Sequence, residues 1–209
     1  MELSKPYYLL LTDVKGSTRL AGGLWERLME RLRVEIAELT DRYKPALGLS
    51  LNYGDEVTGF FEKPADLYTI ALALGEVVYP ETLIRFVAVK GMIGATSQNI
   101  TEVGGPVFKK ASALMERIKK ERRYNRWSLG VSQVDRALDA LSETAHFVRS
   151  SMTSYQRDVY LLLKEGLNQS QIAERLGKQP QSVSDAVKRG GAERVIECEE
   201  AIQTVLKML

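Results

Sequence analysis

Asp13 and Asp55 are the carboxylates whose settings suggest chemistry. Asp13 ends the apolar run Tyr7-Tyr8-Leu9-Leu10-Leu11-Thr12 and precedes Val14-Lys15-Gly16-Ser17-Thr18. Asp55 lies in Gly54-Asp55-Glu56, between Leu47-Gly48-Leu49-Ser50-Leu51-Asn52-Tyr53 and Val57-Thr58-Gly59-Phe60-Phe61. Adjacent antiparallel strands would bring both carboxylates to one edge of a sheet. Hard cations take oxygen ligands, and Mg²⁺ typically uses one or two carboxylates plus substrate phosphates. Asp13 and Asp55 are therefore the expected metal ligands, with Mg²⁺ as the cofactor. Gly16, Ser17 and Thr18 add backbone donors at a helix approach, a setting that binds phosphate. The alternative is turn chemistry, since Asp is common at strand ends and Gly54-Asp55 alone makes a tight hairpin.

The elements that must position these groups alternate. Leu24, Leu28, Leu32, Ile36, Leu39 and Tyr43 recur every three or four residues, with charged residues between them. That spacing predicts an amphipathic helix packed on a sheet, ended by Pro45 and Gly48. The runs around Gly54-Asp55 have the form of a hairpin. A second helix follows through Leu67, Ile70, Ala71, Leu74 and Val78, then a strand from Leu83 to Val89. A third helix opens near Pro106, where a missing N–H does no harm. It continues through Ala111, Leu114, Met115 and Ile118. Strand-helix-strand-strand-helix-strand is the split βαβ, or ferredoxin-like, pattern, which predicts a mainly antiparallel sheet with helices on one face.

Residues 109 to 126 are rich in Lys and Arg. They read either as a phosphate-binding stripe or as a solvated helix end with cations near its C-terminus. A connecting helix is expected over 131 to 149, with Ser150-Ser151 as a boundary.

The grammar changes from Met152. Thr153 or Ser154 can cap a helix carrying Val159, Tyr160, Leu162 and Leu163, and Gly166 ends it. Asn168-Gln169-Ser170 opens a shorter helix with Ile172, Ala173 and Leu176 inward. Gly177 makes a turn, and Pro180-Gln181-Ser182 starts the next helix, with Val183, Ala186 and Val187 on its apolar side. Two short helices joined by a Gly-containing turn form a helix-turn-helix, whose second helix reads the major groove. The expected DNA-contacting residues are Gln169, Ser170, Gln181, Ser182, Ser184, Asp185, Lys188 and Arg189. Gln pairs bidentately with adenine, and Lys or Arg with guanine or phosphate. Lys164, Arg175 and Lys178 join Lys188 and Arg189 as phosphate contacts. The alternative is a small packing module without DNA. Val195, Cys198, Ile202, Val205 and Leu209 fit either a short dimer seam or packing on the module itself.

The bulk properties leave these readings room. The 209 residues carry 29 Lys and Arg against 27 Asp and Glu, so no global charge argument for nucleic acid exists. One cysteine excludes an internal disulfide and favours a reducing, cytoplasmic setting. With one histidine beside it, a Cys/His zinc site is excluded. No stretch approaches the roughly 20 apolar residues of a membrane helix, so no membrane partner is expected.

Thr12-Asp13-Val14-Lys15-Gly16-Ser17-Thr18, Gly54-Asp55-Glu56 and Gly105-Pro106-Val107-Phe108-Lys109-Lys110-Ala111-Ser112-Ala113-Leu114 together resemble the class III nucleotidyl cyclase catalytic domain. Their arrangement looks more closely like the SatD family, and covers roughly residues 5 to 120. Gln156-Arg157-Asp158-Val159 and Gln171-Ile172-Ala173-Glu174-Arg175-Leu176-Gly177 look like the LuxR and sigma-factor type of helix-turn-helix. The resemblance implies that the metal aspartates are Asp13 and Asp55. It also implies that the Asn and Arg steadying the ribose and transition state fall at Lys109 and Ala113, and the purine-selecting Lys at Leu51. Ala113 supplies no charge to a developing oxyanion, often the largest catalytic term, and Lys109 is a poor stand-in for a planar fork.

The expectation is thus an α+β chain. Residues 1–128 form a ferredoxin-like, cyclase-like domain, 129–150 a connecting helix, and 151–209 an all-α helix-turn-helix domain with a C-terminal dimerisation helix. The expected ligand contacts are Asp13, Val14, Gly16, Ser17, Thr18, Asp55 and Lys109. The expected function is a DNA-binding transcription regulator, a homodimer, with a catalytically degenerate nucleotide-sensing domain. The alternatives are a divergent metal-dependent cyclase or phosphoryl-transfer enzyme recruited by its C-terminal module, and an interaction protein with both sites vestigial.

Overall fold

A computed structural model describes residues 1–20, 22–52, 54–97 and 99–209. Tyr53, expected at the end of the first hairpin strand, lies outside them. The chain is α+β. Its compact units are Met1–Asp139 with Val205–Leu209, and Ala140–Thr204. Among the described residues, no helix is long and apolar enough to cross a membrane.

The first unit is built on a sheet of five strands: β1 (Tyr7–Val14), β2 (Leu47–Asn52), β3 (Glu56–Phe61), β4 (Ile84–Gly91) and β5 (Asn125–Ser128). Their lateral order is β2-β3-β1-β4-β5. All neighbours are antiparallel except β4 and β5. The first crossover helix, α1 (Gly22–Tyr43), and the second, α2 (Leu67–Val78), pack against each other, and α2 also packs against β1 and β4. After β4 come a single turn, α3 (Ile100–Val103), and the longer α4 (Pro106–Glu121), which returns the chain to the parallel strand β5. The helix α5 (Ser132–Ser151) begins in this unit.

Helices cover both faces of the sheet, not one. Tyr7, Leu9, Leu11, Phe60, Val87 and Val89 form a core with Val107, Ala111, Met115 and Ile118 of α4. The side chains alternating with them face the other way, where Tyr68 of α2 meets Phe86 and Trp127. The physical reason lies in β1, all eight residues of which are buried. A half-solvated strand alternates apolar and polar residues, whereas a strand covered on both sides is a continuous apolar run. Tyr7-Tyr8-Leu9-Leu10-Leu11 is such a run, and α4 supplies the second cover. The entry to α4 is tight. Gly105 has φ +101°, and a Cβ there would lie 2.3 Å from the Gly94 nitrogen.

Strand β5, unforeseen in the sequence, is pinned from α5. The Asp139 carboxylate accepts the Trp127 N–H at 2.8 Å and the Arg126 guanidinium at 2.9 Å.

The second unit holds the later part of α5, then α6 (Ser154–Lys164), α7 (Gln169–Leu176), α8 (Pro180–Gly190) and most of α9 (Ala192–Lys207). Thr153 and Gln156 form a capping box on α6, as do Asn168 and Gln171 on α7. Each satisfies two orphan backbone donors. Gly177 closes α7 in the left-handed conformation at φ +61°. Val159, Leu162, Ile172, Ala173, Val183, Ala186 and Val187 form one small core. Val195 belongs to another, with Ala145, Met152, Tyr160 and Ala192, and Cys198 packs against it. The first half of the expected seam is therefore used within the unit.

Candidate functional site

At one end of the sheet, register aligns a row of charge. Asp13 on β1 stands opposite Glu56 on β3 and opposite Arg85 on β4. Directly opposed residues of antiparallel strands share a face and interact. This is the face covered by α4. Val107, Ala111 and Met115 mark a row of every fourth residue on that helix, all buried. Lys119 continues the row. It reaches Asp13, with Nζ 2.7 Å from Oδ1, while the Arg85 guanidinium lies 3.6 Å from Oδ2.

Asp55 approaches through the backbone and takes a different partner. Its carbonyl accepts the Val14 N–H at 3.2 Å. Its carboxylate accepts the Ser17 hydroxyl at 2.5 Å. Gly16 makes the required left-handed turn at φ +70°, and Ser17 opens a short 3₁₀ turn. The loop is held further by the Lys15 N–H on the Leu83 carbonyl at 2.8 Å, and by the Lys15 ammonium on the Tyr124 hydroxyl at 2.9 Å. Glu56 sits among these charges. Burial pushes its carboxyl above the ordinary glutamate value, and the Asp13 charge adds to the push. Lys119 opposes it, and Asp55 raises it further.

The expected ligand residues are thus partly gathered. Asp13, Val14, Gly16, Ser17 and Asp55 share this end of the sheet, with Thr18 exposed beside them. Lys109 does not join them. The start of α4 lies at the opposite end of β1, where the Val107 N–H meets the Met92 carbonyl and Tyr7 pairs with Gly91. Ten residues of helix separate Lys109 from Lys119, roughly 15 Å at the α-helical rise. As packed, both Asp13 oxygens face cations of the chain itself, so a magnesium ion there would have to displace the Lys119 ammonium. Among the described residues, no group of three or more His, Cys, Asp or Glu side chains is placed to hold a metal ion.

Glu56 and Arg85 were not among the expected site residues, and Lys119 entered only within the basic stretch 109 to 126, yet each left a trace. Glu56 adjoins Asp55, Arg85 interrupts an apolar strand, and Lys119 continues an apolar row of every fourth residue.

The second candidate lies on α7 and α8. On α8, Val183, Ala186, Val187 and Gly190 are buried. Gln181, Ser182, Lys188 and Arg189 are exposed, with Ser184 and Asp185 half-buried. Ser170 at the start of α7 is exposed and Gln169 half-buried. The Gln181 amide nitrogen donates to the Asp185 carboxylate at 3.1 Å. The expected phosphate contacts divide. Lys178, Lys188 and Arg189 are exposed. Lys164 is instead turned to Glu199 at 2.8 Å, with its ammonium over the Tyr160 ring. Arg175 lies 3.7 Å from Glu165. Glu199 is buried, and besides Lys164 it holds Arg149 at 2.7 Å and accepts the Tyr160 hydroxyl at 2.8 Å. Burial first, and the Glu199 charge second, push that phenol well above its ordinary range.

No protein-family model and no curated protein matches the chain.

Proposed function

We propose that this chain is a cytoplasmic, DNA-binding transcription regulator in which α7 and α8 form a helix-turn-helix and α8 enters the major groove. One observation carries the reading. The side of α8 opposite its buried stripe presents Gln181, Asp185 and Lys188, with Ser182 and Arg189 exposed beside them. It follows a tight left-handed turn at Gly177. That side combines base-reading and phosphate-pairing chemistry on an outward helix face. With the charge of the module near balance, binding as a homodimer to two linked half-sites supplies the affinity that one copy lacks.

The N-terminal sheet is the regulatory part of this proposal, a SatD-like, cyclase-like domain that binds a nucleotide without turning it over. Two features support a non-catalytic role. Asp13 is engaged by Lys119 and Arg85. Ala113, where the resemblance places the transition-state Arg, carries no charge. Control requires the nucleotide to favour one dimer geometry over another.

The test is fluorescence anisotropy with the full-length protein and a labelled duplex of random sequence at low salt. Saturable binding that weakens steeply with added salt is expected. Binding that is absent or indifferent to salt rules the DNA reading out. A thermal-shift screen of nucleotides addresses the sensor. A ligand at a hundred times its dissociation constant adds about 2.7 kcal/mol of stability.

A further inference from the structure

The Gln181–Asp185 contact restricts what α8 can read. At about 3.6 residues per turn, positions 181, 185 and 188 lie together on one side of the helix. The buried positions 183, 186, 187 and 190 lie on the other. Gln181 and Asp185 therefore stand at the centre of the outward face, one turn apart, joined by an amide hydrogen bond of 3.1 Å.

A glutamine amide has one accepting end and one donating end, and a freely rotating side chain offers them in either order. A carboxylate only accepts. Asp185 therefore turns the nitrogen end of Gln181 towards itself and the oxygen end away. The contact uses one of the two N–H bonds. The remaining N–H and the carbonyl oxygen are the donor and acceptor that adenine requires at N7 and N6. Guanine presents two acceptors at the same edge and cannot satisfy the carbonyl.

We propose that Asp185 is a positioning residue for base reading, holding the Gln181 amide in the one orientation that selects duplexes with adenine at a fixed place in each half-site. This rests on the DNA-binding reading and adds a sequence preference to it.

The competing account is that Asp185 only repels phosphate. Two variants of the full-length protein separate them. Asp185→Ala removes both the charge and the acceptor. Asp185→Asn removes the charge and replaces the acceptor-only group with an amide that donates as well as accepts. Duplexes are first selected by the wild-type protein from a randomised pool. Affinity is then compared between the selected duplex and the same duplex with A·T replaced by G·C at each position in turn. The wild type is expected to lose roughly tenfold at one position. That loss should shrink to within about twofold in Asp185→Ala and in Gln181→Ala, and shrink as well in Asp185→Asn, whose amide pairs with either end of Gln181. Thermal melts of all variants should match the wild type, as expected for substitutions on an outward helix face.

Selection without an adenine-dependent position overturns the proposal, as does full discrimination in Asp185→Ala. So does an equal gain in affinity for every sequence in both variants, which is the signature of simple repulsion. A wild-type protein that binds no duplex at all is a different failure, since it removes the DNA-binding reading itself.

Discussion

At Asp13 a buried carboxylate faces cations on both oxygens, and the two cations come from different elements. Lys119 arrives from the last turn of α4, Arg85 from the neighbouring strand. Asp13 is buried and Lys119 half-buried, so removing the ammonium leaves a buried carboxylate undercompensated. Lys119→Met should therefore destabilise the protein by about 1.5–3 kcal/mol in urea denaturation, the range for a hydrogen bond to a charged group. Lys109→Met, at the exposed far end of the same helix, should stay within about 0.5 kcal/mol of wild type. Equal effects would show that the Asp13 contact contributes nothing. Glu56 makes an opposite prediction. Its folded pKa is raised, chiefly by burial and then by Asp13. A raised carboxyl binds its proton more tightly in the folded state, so its contribution is full below the unfolded value. That contribution is lost as pH rises through the folded value. Glu56→Gln should accordingly melt above wild type at pH 7. The difference should close as pH falls towards and below the ordinary value of 4.5. A variant that melts below wild type at pH 7 would refute this.

Between elements, the second unit depends on a polar tie. Glu199 of α9 holds Arg149 of α5, the Tyr160 hydroxyl of α6 and the Lys164 ammonium of α6. Glu199→Ala would remove the carboxylate paired with Arg149, itself buried, and should destabilise by about 3–5 kcal/mol, the range for breaking a buried pair. Glu199→Gln keeps hydrogen bonding and should cost less. Equilibrium denaturation of both variants reads the difference. How far the elements were legible depended on the range of the forces that form them. Local signals were plain. Of the two cap candidates for α6, Thr153 is the one used, and Asn168, the turn at Gly177 and the Pro180 start sit where the sequence predicts them. So does the start of α4 at Pro106. The failures were non-local. Strand β5 has only four residues, too few for a periodic pattern, and depends on parallel pairing with β4 and on Asp139 from α5. Lys164 reads as a phosphate contact in the sequence because Glu199 is 35 residues away in the chain, and only folding brings them together. Likewise Asp13 and Asp55 were found as separate turns, but Arg85 and Lys119 became site residues only through register and helix packing.

For the whole molecule, charge decides how the proposed DNA binding would behave. The net formal charge is +2, so no diffuse positive field draws the protein to a polyanion. On the proposed DNA-binding reading, affinity comes from a few well-placed cations and from repetition of the site in the proposed dimer. Each phosphate neutralised contributes about 0.9 to the slope of log affinity against log salt. Lys188 and Arg189 are exposed on the helix that carries Gln181. The double variant Lys188→Ala/Arg189→Ala should therefore reduce the slope by roughly 2 per bound protomer. It should weaken all duplexes alike, because phosphate contacts carry no sequence information. Gln181→Ala should do the reverse, leaving the slope unchanged and flattening the preference among sequences. Lys164→Ala belongs to neither class. Its ammonium is turned to Glu199, so the change should lower stability and leave the slope intact. Titrations at several salt concentrations with these three variants assign each cation to DNA or to the fold. A slope that falls with Lys164→Ala and not with Lys188→Ala/Arg189→Ala would mean that α8 is not the helix presented to the groove.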